Sequence, residues 1–142
     1  MICASEDVGN ADPMALTVAV SAAQAVERLG MPEARIVLSQ AATYVASAPK
    51  SNAAYLAVDR AMEVVRESRT APVPPYLCDS HYKGAGKLGR GIGYRYAHDF
   101  PNHYVDQQYL PDAYKDVKFY EPTENGYEKT IREYFDRIGK EI

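Results

Sequence analysis

Proline and glycine cut the first seventy residues into three lengths, and this punctuation limits the fold more than any other feature. Asp12-Pro13 pairs an N-capping acid with a residue suited to the first helical position, which predicts a helix from Pro13 to Leu29, stopped at Gly30. Pro32 opens a second helix to about Ala48, closed by Pro49, and Ser51 is placed to cap a third that runs to about Arg69. In the first, Thr17, Ser21, Gln24 and Arg28 recur at four, three and four, so its polar stripe is narrow and it is buried on most sides. The second carries Arg35, Ser39, Thr43 and Ser47 on its polar stripe, with Val37, Leu38, Ala41, Tyr44, Val45 and Ala48 expected inward. For the third, Asn52, Tyr55, Asp59, Glu63 and Arg66 form the wet face, and Ala54, Ala57, Val58, Ala61, Val64 and Val65 the buried one. The short connections at Gly30-Met31 and Pro49-Lys50 predict antiparallel neighbours. Together the three helices present more apolar face than they can satisfy among themselves, which implies further partners within the chain or in another copy.

From Thr70 the texture changes. Pro72, Pro74 and Pro75 exclude a helix, and ten of the twelve tyrosines lie from Tyr76 onward. A short helix is expected around Ser80–Leu88, weakened by Gly84 and Gly86. Gly93–Phe100 and His103–Tyr109 alternate enough to predict two short strands around a Pro101-Asn102 turn, a β-hairpin. Thr123 then caps a last helix, on which Tyr127, Ile131, Tyr134 and Ile138 recur at four, three and four with Phe135 beside them. Its exposed face offers acid-before-base pairs at Glu128–Arg132, Glu133–Arg137 and Asp136–Lys140. The expected fold is mainly α: an antiparallel helical bundle over residues 1–71, an irregular Tyr/Gly/Pro-rich connector over 72–122, and a C-terminal amphipathic helix over 123–142.

With 142 residues, 46% of them hydrophobic, and a net charge of −3, one ordinary domain suffices. So small a charge argues against a dedicated nucleic-acid coat while permitting a local basic patch. Two cysteines, Cys3 and Cys78, with no repeating spacing, favour a reducing, cytoplasmic setting. No apolar run approaches the ~20 residues that span a bilayer. Met1-Ile2-Cys3-Ala4 has the look of the tail of an apolar segment that starts upstream, as in an excised fragment.

The stretch Lys83–Pro101 holds five glycines and four basic residues, and no acid lies between Asp79 and Asp99. Gly84-Ala85-Gly86-Lys87-Leu88-Gly89 matches GxGxxG, but neither a core strand ahead of it nor a βαβ pattern is present, and Leu88 stands where a P-loop needs Ser or Thr. No nucleotide site is therefore expected within these residues. Cys78-x2-His81 and His98-x4-His103 have zinc-like spacing, yet one thiolate with three histidines is an unusual structural set, and packing within a tyrosine cluster explains the histidines equally well. No G-x-S-x-G elbow occurs, and His98-Asp99 cannot pair with itself in triad geometry, so catalysis is not expected. The strongest chemical candidate is the basic-aromatic stretch 82–96. There Lys83, Lys87, Arg90 and Arg95 are interleaved with Tyr82, Tyr94 and Tyr96, a combination suited to single-stranded nucleic acid. Basic side chains solvating an irregular segment are the simpler account.

Two stretches carry a family resemblance. The first is Ala4-Ser5-Glu6-Asp7-Val8-Gly9-Asn10-Ala11-Asp12-Pro13, continuing through Ala22–Arg28 and Pro32–Arg35. The second is Gly93-Tyr94-Arg95-Tyr96-Ala97-His98-Asp99, followed by Gln108–Pro111 and Phe119–Thr123, with Ala48–Asn52 between the two. They resemble the C-terminal region of the replication-associated recombination protein A family, also called MgsA, whose eukaryotic relatives include the Werner-helicase-interacting ATPase. The resemblance implies a clamp-loader-type AAA+ ATPase acting at stalled forks, with ATP and magnesium bound in an upstream domain. It implies that this part is a collar-like oligomerisation module forming a tetramer. Contact with DNA and with single-stranded-DNA-binding protein, and a cytoplasmic, nucleoid-associated location, belong to the whole molecule on this reading. Asp7, Gly9, Asn10, Asp12, Pro13, Gly93, Tyr94, Tyr96, His98 and Asp99 are its signature positions. None matches a catalytic residue.

Overall fold

The structure is a computed structural model that describes residues 1–67, 71–79 and 81–140. The expected end of the third helix at Arg69 and the expected helix start at Ser80 lie outside the described residues. The chain forms two compact units, residues 1–62 with 118–142 and residues 63–117.

The first unit opens on a π-helical turn, Ala4–Val8, and a 3-10 turn, Gly9–Ala11. Helix α1 (Met14–Leu29) and helix α2 (Ala34–Ser47) follow and pack on each other. Asp12 starts α1 as expected, its Oδ1 accepting the Met14 amide at 3.0 Å. Ala15 at the start of α1 and Ala48 just past the end of α2 share one core with Ala4 and Val8, and Ala19 and Val45 pack against it. The antiparallel pairing predicted from the short Gly30-Met31 connection is thus present. Helix α3 (Ala53–Glu67) begins where Ser51 Oγ accepts the Ala53 amide at 3.2 Å, the predicted cap. Helix α4 (Tyr127–Arg137) returns to this unit and touches the Gly9–Ala11 turn.

The second unit contains the end of α3 and then short 3-10 turns at Pro75–Leu77, Ala85–Leu88, Ala97–Asp99, Pro101–His103 and Asp112–Tyr114. The predicted β-hairpin is absent: no strand forms among the described residues. The amides of Asp99, Phe100 and His103 bond to carbonyls three residues back at 3.0–3.1 Å, which removes donors that a strand ladder would use. Asn102 and His103 both adopt left-handed backbone, at φ 55° and 52°, which breaks the extended run. Alternation of Tyr94, Tyr96 and His98 with Arg95, Ala97 and Asp99 here follows successive tight turns, not a pleat.

Other expectations are corrected at the level of side chains. Thr123 does not cap α4, which starts four residues later behind Gly126. Leu38, Val58 and Val65, expected inward, are exposed, so the helices bury mainly alanine. Glu128 does not pair with Arg132. Arg132 instead binds Glu124 at 2.6 Å and the Pro122 carbonyl at 3.0 Å, while Glu128 is fully buried.

Candidate interaction surfaces

Within the first unit, the signature residues from Asp7 to Pro13 act as joints. The Asp7 carbonyl accepts the Ser51 amide at 2.8 Å, and Asp12 Oδ2 accepts the Tyr44 hydroxyl at 2.9 Å. A Cβ on Gly9 would lie 2.6 Å from the Ser51 carbonyl oxygen, so only glycine lets these segments approach so closely. Asn10 Nδ2 donates to the Tyr120 hydroxyl at 3.1 Å. Pro13 leads directly into α1.

Two of these joints, at Ser51 and at Tyr120, meet at one carboxylate. Glu128 has no exposed surface, and it accepts hydrogen bonds from Ser51 Oγ at 2.7 Å, Tyr120 Oη at 2.8 Å, and both the amide and the hydroxyl of Thr123 at 2.7 Å. Burial alone pushes the carboxyl upward, but the bonds from Ser51, Thr123 and Tyr120 outweigh it and hold Glu128 below the usual carboxylate range. Burial, with the hydrogen bond and charge of Glu128, pushes the Tyr120 phenol up to about 12, against the Asn10 amide, which draws it down. No described buried side-chain nitrogen or oxygen is left without a partner. The arrangement is a satisfied anchor for four segments. Sequence reasoning missed it because Glu128 also fits a surface i, i+4 pair, and its partner Ser51, like Asn10 on the Tyr120 hydroxyl, is far away in the chain. The available signal was an acid in the first turn of α4, just beyond the unused capping residue Thr123.

The outer face of α3 exposes an apolar stripe. Tyr55, Val58 and Met62 are exposed by 42%, 55% and 46%, at a spacing of three and four. This is the seam pattern of helices that pack on other helices. Ile2, also exposed, lines a shallow hollow with Tyr55 and Val58. In the sequence, Tyr55 is assigned to the wet face and Val58 to the buried face, which splits what the helix presents as one stripe.

In the second unit, Lys83, Lys87, Arg90 and Arg95 are all exposed, as are Tyr82, Tyr94 and Tyr96. Arg90 lies 5.8 Å over the Tyr82 ring, and Arg95 lies 4.6 Å over Phe100 while bonding the Asp106 carbonyl at 3.2 Å. Gly93 has φ +84° and begins the approach to the Ala97–Asp99 turn that contains His98 and Asp99. The His98 ring is 5.0 Å from both Tyr96 and His103, while His81 pairs with Asp79 at 2.7 Å. Among the described residues no three His, Cys, Asp or Glu side chains are placed to hold a metal ion. The GxGxxG match lies on the single turn Ala85–Leu88, with no strand ahead of it among the described residues. No described helix is long and apolar enough to cross a membrane.

Residues 1–139 match the family described as the C terminal of the MgsA AAA+ ATPase, and the chain belongs to that family. It is 43% identical to a replication-associated recombination protein A of Bacillus subtilis over 141 residues, 99% of this chain and 34% of that protein. Its counterpart of the same name in Escherichia coli K12 is 42% identical over 92% of the chain and 29% of that protein. ATPase WRNIP1 of Dictyostelium discoideum is 40% identical over 83% of the chain and 14% of that protein. The chain thus spans about a third or less of the length of these relatives.

Proposed function

We propose that this chain is the oligomerisation domain of an AAA+ ATPase that acts in replication and recombination at stalled forks, assembling as a tetramer and without activity alone. On this reading ATP and magnesium bind in the upstream domain of a cytoplasmic, nucleoid-associated protein, and the assembled molecule meets DNA and single-stranded-DNA-binding protein. The observation that carries self-association is the exposed stripe Tyr55, Val58 and Met62 on α3. Burying such side chains yields ~25 cal/mol per Å² of apolar area, and a stable interface needs about 800 Å² per partner, more than one helix stripe supplies. The seam is therefore the centre of a larger contact. Light scattering at micromolar concentration should give a mass near four chains, and Val58→Asp with Met62→Asp should lower it to that of one chain. A single-chain mass for the unsubstituted protein at every concentration would reject the reading.

A second reading rests on the exposure of Tyr94 and Tyr96 beside four uncovered basic side chains: a single-stranded DNA contact on residues 82–96. It requires binding that weakens steeply with salt and is lost in Lys87→Ala with Arg90→Ala. Absence of binding at low salt, or binding indifferent to the double substitution, would dismiss it. A tetramer would repeat a weak site and raise its avidity, so the two readings are compatible.

A further inference from the structure

Helices α1 and α2 leave a second apolar feature, separate from the α3 stripe. Ala19, Ala22 and Ala23 of α1 and Leu38, Ala42 and Ala46 of α2 line an open groove of about 490 Å³ along the seam between the helices. Alanine at nearly every position makes the floor shallow and smooth, so a third helix could settle close to both axes. Leu38 and Ala42 are exposed on it. Met1 and Cys3 line this groove too. The Met1 carbonyl already accepts the Ser5 amide at 3.1 Å, the spacing of an α-helical turn, and Cys3 has helical backbone. Ala4 and Val8 are buried against α1 and α2 by this turn, and Met1 continues their face upstream.

We infer that the α1–α2 groove is the seat of a helix leading into Met1 from the preceding part of the intact ATPase. The inference rests on the reading of this chain as the C-terminal part of a longer protein. The groove extends along α2 from Leu38 to Ala46, about 12 Å at ~1.5 Å per residue, so roughly two helical turns fill it. The occupant presents apolar residues three or four and seven positions ahead of Met1, continuing the face of Ala4 and Val8. The upstream part of the ATPase is thereby joined to this domain by a packed helix, not by a free linker.

The test is thiol reactivity in the full-length protein, in a background free of other cysteines. Ala42→Cys reports from the groove, and Gln40→Cys, on the same helix and exposed away from it, is the control. A charged maleimide should modify Ala42→Cys at least ten-fold more slowly than Gln40→Cys, at every protein concentration from nanomolar to micromolar. Inserting Gly-Pro-Gly directly ahead of Met1 should bring the two rates within two-fold of each other, leaving the Gln40→Cys rate unchanged. Equal rates without the insertion would overturn the inference. So would protection that disappears on dilution, which would assign the groove to a second copy, or protection that survives the insertion. Ala23→Cys, from the α1 side, should repeat the Ala42→Cys result. The measurement is separate from the mass measurement on the α3 stripe: a monomeric protein with a protected groove would reject tetramerisation and keep this inference.

Discussion

The two compact units keep their polar groups in opposite ways. In residues 1–62 with 118–142, the important bonds link distant positions: Ser51 to Glu128, Asn10 to Tyr120, and Asn125 Nδ2 to the Lys50 carbonyl at 2.9 Å. In residues 63–117 most backbone bonds outside the helix close turns of three or four residues, and Tyr82, Tyr94, Tyr96 and Tyr109 remain exposed. A few side chains do reach further there, as the Tyr76 hydroxyl does to the Gln108 carbonyl. Aromatic content is thus a poor guide to where the core lies. The alanine-rich unit is the one with a shared anchor, and the tyrosine-rich unit holds its shape locally.

The contrast can be broken most severely at Glu128. Glu128→Ala leaves the hydroxyls of Ser51, Tyr120 and Thr123 and the Thr123 amide without their acceptor, and should lower stability by about 3–5 kcal/mol, measured by urea unfolding. A loss below ~1 kcal/mol would mean that water replaces the carboxylate and that the anchor is not one. Glycine substitutions sharpen the comparison at the next level. Gly126 has φ +54°, and a Cβ there would collide with the Ala11 carbonyl and lie 2.7 Å from Pro49 Cγ, whereas Gly89, at φ +69°, has open space around it. Gly126→Ala should cost roughly 2–4 kcal/mol, and Gly89→Ala only the ~1–2 kcal/mol of left-handed backbone. Equal losses in thermal unfolding would show that close approach between segments adds nothing in the first unit.

The smallest effects are expected from pH. Because Glu128 is held below its unfolded value, its contribution is complete above the usual carboxylate range and is lost as pH falls through the folded value. Tyr120 is raised to about 12, so its contribution is complete below ~10 and disappears as pH climbs from there through about 12. Stability should therefore decline at both ends. Glu128→Gln should flatten the acid limb and Tyr120→Phe the alkaline one. An acid limb unchanged in Glu128→Gln would place the titrating carboxylate elsewhere.

Helix positions were readable from the chain because their determinants are local. Asp12, Ser51, Gly30 and Pro49 act on their own neighbours, and the bounds of α1, α2 and the start of α3 agree within about two residues with those expectations. Alternation failed at Gly93–Tyr109, since period two arises from consecutive tight turns as well as from a pleated strand. The buried role of Glu128 was not legible, because it depends on Ser51 arriving from far away in the chain, and Thr123 gives its hydroxyl and amide to that carboxylate instead of capping α4. The α3 stripe was not seen, because the sequence reading divided Tyr55 and Val58 between a wet and a buried face, and spacing alone does not say whether an apolar face is covered by its own chain. The basic residues of 82–96 are where their polarity predicts, on the surface.

The placement of Glu128 also affects how the protein can be dissected. A common way to assign a role to a last helix is to delete it and see which property is lost. Here deletion before Thr123 would remove the acceptor of Ser51 and Tyr120 from a site more than seventy residues away in the chain, at the foot of α3. Such a shortened protein would lose whatever α3 does along with anything α4 does, and the loss would be credited to the wrong element. Point substitutions on the exposed side of α4, leaving Glu128 in place, are the only cuts of that kind that can be interpreted.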